Sequence, residues 1–153
     1  MKIHMYLPDA GRTGRFIVTD QNHLLLLTTE DEPQGRWKIT DPAGDTVLLK
    51  IRHASLSGES FVFSDITGVR GAYHLHRHAS VISYHMLNDR WEMQYHKTER
   101  TVKITRRGKK IATARLLPEY AAYFIADITE PSELLFVTGS LLAVSRELST
   151  SST

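Results

Sequence analysis

The sequence predicts a mainly β protein, a closed antiparallel barrel of about twelve strands that encloses a C-terminal hydrophobic α-helix. The first observation behind this prediction is that short segments of alternating apolar and polar residues recur along the chain with turn residues between them, as in sandwiches and barrels. The second is that residues 134–145 carry no charge and place apolar side chains on every side of a helix. A helix without a polar face has to be buried, either in lipid or in protein.

The alternation predicts short strands along nearly the whole chain. They are residues 2–6, 15–19, 24–29, 37–40, 46–52, 60–64, 72–77, 81–86, 90–95, 101–105, 111–116 and 120–128. Three of the hairpins repeat one design, in which one side of the ribbon is apolar and the other is polar or charged. The predicted cross-strand pairs are Ile39 with Val47, Trp37 with Leu49, Leu75 with Ile82, Tyr73 with Tyr84, and Ile104 with either Ile111 or Ala112.

The terminal helix is predicted over about residues 131–148. Thr129 and Glu130 are suitable caps, Pro131 suits a first turn, and Glu133 suits the positive end of the helix dipole. Its polar interruptions are small, and a Ser or Thr hydroxyl can bond a carbonyl one turn back. Twelve helical residues rise about 18 Å, which is short of the roughly 30 Å hydrocarbon thickness of a bilayer. We therefore expect the strands of the chain itself to surround this helix.

Length and composition limit the domain organisation and the classes of function. The 153 residues predict one domain over 1–148 and a disordered tail over 149–153, where only Ser and Thr occur. The absence of cysteine excludes disulfides, thiolate metal sites and cysteine catalysis, and a net charge of +2 does not by itself indicate a nucleic-acid partner. No apolar run has the length of a signal-peptide core at the start or of a membrane span elsewhere. We expect a cytoplasmic protein, either free or peripheral at the membrane.

The C-terminal part of the sequence resembles a known superfamily. The stretch PEYAAYFIADITEPSELLFVTGSLLAVSREL, residues 118–148, is similar to the final strand, acidic turn and apolar helix of the tubby C-terminal-like, scramblase-like proteins, and most of all to their LURP-one-related group. Residues 88–112 resemble an internal repeat of that group, with Trp91 opening a strand before a hairpin, whereas Gly139 and Ser140 depart from its more uniformly aliphatic helix. The resemblance implies a barrel threaded by its terminal helix and offers no catalytic residues. It also implies a binding scaffold, which in some branches recognises phosphoinositide head groups or membranes.

One hairpin carries a candidate metal site. His74 and His76 lie on one face of a strand, and His85 is diagonally close to His74 in the predicted register. A His-x-His pair on a strand is a usual way to hold zinc or copper. In the alternative reading the apolar residues of the hairpin take the core and the histidines point to solvent, and the hairpin contains no acidic residue to orient the rings. The sequence favours this alternative and predicts no bound metal.

A basic stretch near the end of the strand region carries a candidate site for an anionic ligand. Residues 97–115 hold eight Lys or Arg residues against one acidic residue. The candidate binding residues are Arg100, Arg106, Arg107, Lys109, Lys110 and Arg115. Four of them crowd one hairpin tip, and each cation there would contribute on the order of 1 kcal/mol at an anionic membrane surface. The alternative is a solvated turn whose lysines prevent pairing with other chains.

No segment matches a catalytic motif. TEDE, residues 29–32, fits a charged turn, and no Gly-x-Ser-x-Gly elbow follows a strand. The sequence therefore favours a non-enzymatic binding or scaffold module with no cofactor and an unidentified ligand. Two alternatives stay open, a peripheral module that binds anionic phospholipid head groups through the basic hairpin and a metal-binding protein or metalloenzyme built on the three histidines. The expected partner is anionic lipid or a protein, and the sequence does not favour sequence-specific nucleic acid.

Overall fold

A computed structural model of the chain describes residues 1–6, 16–32, 36–53, 60–65, 67–78, 81–86, 91–117 and 123–151. The strands within them are β1 (Lys2–Tyr6), β2 (Ile17–Asp20), β3 (Leu25–Glu32), β4 (Arg36–Thr40), β5 (Val47–His53), β6 (Ser60–Asp65), β7 (Gly68–His78), β8 (Val81–Met86), β9 (Trp91–His96), β10 (Thr101–Arg106), β11 (Lys109–Leu116) and β12 (Tyr123–Ile128). A 3-10 helix (Pro131–Glu133) leads into the α-helix α1 (Leu134–Ser151). Residues 15, 90 and 120–122 of the predicted strands lie outside the described residues.

Each strand pairs antiparallel with its neighbours in sequence. The first strand also pairs with the last, from Lys2 opposite Asp127 to Tyr6 opposite Tyr123, so that the ring of pairs closes. The N-terminal ammonium group of Met1 reinforces this seam by donating a 3.0 Å hydrogen bond to the carbonyl of Ile128. The prediction of a mainly antiparallel β protein with a C-terminal helix is confirmed.

The central part of α1 is buried on all sides. Residues 137–144 are eight consecutive buried positions, and eight residues at about 100° each pass more than twice around the helix axis. The polar residues among them bond within the helix, as predicted, since the hydroxyls of Thr138 and Ser140 donate 2.9 Å hydrogen bonds to the carbonyls of Leu134 and Phe136. Their hydroxyls therefore need no water, which is what allows this segment to lie among apolar strands.

The wall of the barrel lies close to α1 at Gly139. A Cβ atom at this position would lie 3.1 Å from Leu49 Cδ2, 3.1 Å from Phe63 Cε2 and 3.3 Å from Ile51 Cδ1. These three side chains come from β5 and β6 and are buried to 1% exposure or less. At the glycine that departs from the aliphatic pattern of the helix, a side chain would thus fit only if its neighbours on the surrounding strands moved by a few tenths of an ångström.

Aromatic side chains close the barrel at the end where α1 begins, which we call the proximal end. Phe136, in the first turn of α1, packs with its ring centroid 5.9 Å from that of Trp91 and 6.2 Å from that of Phe63. Leu134 and Leu135 are only partly buried beside it. Burial of the helix therefore increases from this end towards its centre.

Two of the predicted hairpin registers are wrong by two residues, and in the third Ile104 pairs with one of its two predicted partners. In β4–β5, Ile39 is opposite Leu49 and Trp37 is opposite Ile51. The reason is a bulge between the Thr40–Val47 pair and the Ile39–Leu49 pair. The other observed pairs are Leu75 with Tyr84, Tyr73 with Met86, and Ile104 with Ala112, with a bulge beside Ile104. A bulge adds one residue to one strand, so turn residues alone do not determine the pairing.

The predicted tail is partly wrong, because α1 continues to Ser151 through residues that were expected to be disordered. Ser and Thr are only a few tenths of a kcal/mol less favourable than good helix formers at each position. A helix whose preceding turns are already fixed by burial can therefore include them. Residues 152–153 lie outside the described part of the chain.

Candidate binding surfaces

The basic hairpin tip joins β10 and β11 through a two-residue turn at Arg107 and Gly108. Arg107 has φ 53° and Gly108 has φ 80°, the positive values that a tight type I′ hairpin turn requires. Arg106 pairs with Lys109 across the base of the turn. The four basic residues from Arg106 to Lys110 are therefore held together at the proximal end, as their sequence spacing predicted.

Two of these four cations bind acidic residues that precede α1. Arg106 Nη1 lies 3.1 Å from Glu133 Oε1, and Lys109 Nζ lies 3.0 Å from Glu130 Oε1. The Glu133 side chain is only 17% exposed, whereas the Lys109 side chain is 70% exposed, so the first pair is the better shielded from solvent. Exposed ion pairs contribute about 0–1 kcal/mol. These contacts attach the hairpin to the start of the helix and neutralise two cations of the predicted cluster.

The other two predicted residues, Arg100 and Arg115, lie at the opposite end of the same ribbon. Arg115 is paired with Thr101, the first residue of β10, while Arg106 is its last. Five residues of strand span about 17 Å. The six predicted cations therefore form two separate groups and do not make one binding surface.

Arg100 has a structural role in the turn between β9 and β10. It has φ 58°, its backbone N–H donates a 2.8 Å hydrogen bond to the carbonyl of His96, and its carbonyl accepts a 2.9 Å hydrogen bond from Leu116. Its Nε is buried and forms no hydrogen bond with the described residues. Burial raises the pKa of the neighbouring Tyr95 hydroxyl, and the charge of Arg100 opposes this rise. The arginine is thus folded against the barrel and is not extended into solvent.

A groove of about 490 Å³ runs over the outer wall formed by β10, β11, β12 and β1. We call it the outer groove. The residues that line it are Lys2, His96, Glu99, Thr101, Val102, Lys103, Thr113, Ala114, Arg115, Ile125 and Asp127. Only Arg115 among them was a predicted site residue. Lys2, Ile125 and Asp127 escaped prediction because their part of the groove depends on the β1–β12 seam, which joins the two ends of the chain.

The β10–β11 ribbon contributes two cations to the outer groove. Lys103 is opposite Thr113, and Arg115 is opposite Thr101, on the outward face of the β10–β11 ribbon. This register makes Lys103 and Arg115 diagonal neighbours, whose Cβ atoms lie about 7–8 Å apart. Alternation along β10 and β11 already indicates that both side chains face the same way. The shared orientation of Lys103 and Arg115 was therefore predictable from the sequence.

The three candidate metal ligands are only partly described. His74 is directly opposite His85, whereas a diagonal position was predicted, and His76 is opposite Ser83. The side chains of His74 and His76 lie outside the described part of the structure. Within the part that is described, no group of three or more His, Asp or Glu side chains could hold a metal ion.

The expectation that no acidic residue accompanies these histidines is wrong. Glu92 of β9 is opposite His85, and its Oε2 lies 3.9 Å from His85 Nδ1. The other carboxylate oxygen of Glu92 accepts a 2.6 Å hydrogen bond from Gln94. The partner comes from the next strand along the chain, and not from the hairpin that was considered.

Comparisons with known proteins define the fold only. No family model matches the chain, and no curated protein matches it. The chain is similar to a solved X-ray structure of a protein from Arabidopsis thaliana, with a TM-score of 0.66 and 14% sequence identity over 97% of this chain and 91% of the other. Among the described residues, no helix is both long enough and apolar enough to cross a membrane.

Proposed function

We propose that this protein is a non-enzymatic binding module of the LURP-one-like type that recognises its ligand on the outer wall of the barrel. The observation that carries this proposal is the filled interior. β-Barrels that bind small molecules inside keep a lumen for them. Here residues 137–144 of α1 occupy that space and are buried on every side, and at Gly139 not even a methyl group fits without displacing its neighbours.

The assignment to the LURP-one-like type has two supports. The sequence of residues 118–148 resembles that group, and a ring of antiparallel strands around a buried terminal helix is the architecture that the resemblance implies. The Arabidopsis structure supports the fold at an identity too low to carry function. A fold alone does not determine an activity, so the proposal concerns where a ligand binds.

A second candidate is the binding of anionic phospholipid head groups through the basic hairpin tip. The observation in its favour is that Arg107 and Lys110 are exposed at the tip. Arg106 and Lys109 are less available, because they bind Glu133 and Glu130. A membrane contact that used all four cations of the tip would have to break both ion pairs, which makes it the weaker candidate.

The filled interior is tested with a fluorescent fatty acid, cis-parinaric acid, which accepts excitation energy from buried tryptophans. Trp37 and Trp91 are each 4% exposed and belong to the barrel core, so a probe in the lumen would quench them. We expect no saturable quenching, while a β-barrel with an open lumen is quenched at a one-to-one ratio. Saturable one-to-one quenching of this protein would overturn the proposed function.

A further inference from the structure

We propose that Tyr6 and Tyr123 form an oxidative cross-linking site, in which His4 accepts the phenolic proton of Tyr123. The two tyrosines are opposite each other where β1 pairs with β12. Their rings are stacked, with centroids 4.9 Å apart and planes inclined by 8°. The product is a dityrosine, in which a carbon–carbon bond between the two rings ties the first strand to the last. This inference goes beyond the proposed function, because it concerns a modification of the protein itself.

His4 supplies the base that the oxidation of a tyrosine requires. A phenol that has lost an electron is a very strong acid, so the electron leaves readily only when the proton has an acceptor. The Nδ1 atom of His4 lies 3.1 Å from the hydroxyl oxygen of Tyr123. In the tautomer with its proton on Nε2, this Nδ1 accepts the hydrogen bond from the hydroxyl. It is therefore placed to take the proton as the electron leaves.

The site lies on the outer face of the barrel, where a dissolved oxidant can reach it. Ile3 and Met5, which alternate with His4 and Tyr6 along β1, are buried in the core, so the other two side chains face outward. His4 and Tyr6 are partly exposed. Tyr95, in contrast, is 3% exposed and shielded by the barrel. Stacking and access to the oxidant therefore coincide at the seam between the first and last strands.

The reaction balances with hydrogen peroxide as the oxidant, acting through a haem peroxidase. Each tyrosine gives one electron to the oxidant. The phenolic proton of Tyr123 goes to His4, and that of Tyr6 goes to water. The two radicals couple through ring carbons ortho to oxygen, and the hydrogens of these carbons then move to the phenol oxygens. The protein loses two hydrogen atoms in all, and one peroxide molecule becomes two water molecules.

The cross-link provides a covalent tie that this chain cannot form in the usual way. The sequence contains no cysteine, so no disulfide can join its strands. Tyr6 ends β1 and Tyr123 begins β12, and a bond between them closes a loop that contains the ten other strands. A tie across so long a loop removes much of the entropy of the unfolded chain. The cross-linked protein should therefore unfold at a temperature higher by roughly 10 °C or more.

The test is oxidation of the dilute protein with peroxide and a haem peroxidase, followed by mass spectrometry of the monomer and of its tryptic peptides. Y6F and Y123F each remove one phenol of the pair. The matched control is Y120F, which removes a phenol from the same tryptic peptide as Tyr123, residues 116–146. H4Q keeps a hydrogen-bond acceptor but removes the base. Thermal scans before oxidation establish that every variant folds.

We expect the wild type and Y120F to give monomers lighter by two hydrogen atoms, in which peptide 3–12 is joined to peptide 116–146 through Tyr6 and Tyr123. Y6F and Y123F should give no joined peptides. H4Q should form the cross-link more slowly, by about tenfold or more. The yield from the wild type should fall when the protein is unfolded in urea before oxidation, because the two rings are then no longer stacked.

Three results would contradict the proposal. Joined peptides at wild-type yield from Y6F, or an equal yield from the folded and the unfolded wild type, would overturn the cross-linking site. Cross-linking of H4Q at the wild-type rate would overturn the role of His4 as the proton acceptor. An unchanged unfolding temperature after cross-linking would show that the bond does not fasten the first strand to the last.

Discussion

Replacing Leu141 by Ala is expected to lower the free energy of unfolding by about 2–5 kcal/mol, the range for a fully buried leucine whose surroundings cannot collapse into the cavity. Leu141 is 0% exposed at the centre of α1, inside the strand ring. The strands are tied to one another by their hydrogen bonds and so have little freedom to move inward. Urea denaturation followed by circular dichroism measures the difference.

Leu135→Ala is the matched control for this substitution. The same side chain is removed from the same helix, but Leu135 is only partly buried at the proximal end. Leu135→Ala should lower the free energy of unfolding much less than Leu141→Ala, since the substitution removes less buried apolar surface and fewer side-chain contacts. If the two variants had equal stability, α1 would not be more deeply enclosed at its centre than at its start.

Replacing Gly139 by Val is expected to be the second largest effect, a loss of about 1–3 kcal/mol or more from overpacking. A Cβ alone would lie 3.1 Å from the side chains of Leu49 and Phe63, and valine adds two further methyl groups. The variant should melt at a lower temperature than the wild type in a thermal scan followed by circular dichroism.

Gly139→Ala separates this crowding from the general cost of glycine in a helix. Alanine gains about 1 kcal/mol of helix propensity but brings its methyl group into the same 3.1 Å contacts. We expect the two effects largely to cancel, so that this variant stays close to the wild type in stability. A Val variant as stable as the Ala variant would contradict the close approach of the helix to the wall.

Strand positions and helix burial could be predicted because both follow from periodicity. Lys2–Tyr6 and Val81–Met86 have the predicted bounds, and the all-round apolar pattern of α1 required enclosure. Register was predicted less well, because in β4–β5 and β10–β11 it depends on bulges that leave no pattern in the sequence. Ile104 shows this, since the bulge beside it lets both Ile111 and Ala112 face the core at 1% exposure.

The candidate site was harder to predict because its chemistry depends on partners that are distant in sequence. The tip was expected to be an accessible cluster of four cations, but Glu130 and Glu133 approach it only because α1 starts beside the tip. The outer groove requires the β1–β12 seam to place Lys2 beside Asp127. Charge counted along one segment overestimates the free charge of a hairpin in a closed sheet.

Hydrogen exchange of the backbone amides of α1 tests the enclosure of the helix most directly. If the strand ring surrounds residues 137–144, these amides become accessible only when the barrel unfolds. Their free energies of opening should then equal those of the amides in β5, β6 and β12, and all should match the global value from urea denaturation. Exchange of the helix amides at a lower free energy, with the strand amides still protected, would mean that α1 leaves its position without unfolding the barrel and would contradict the enclosed helix.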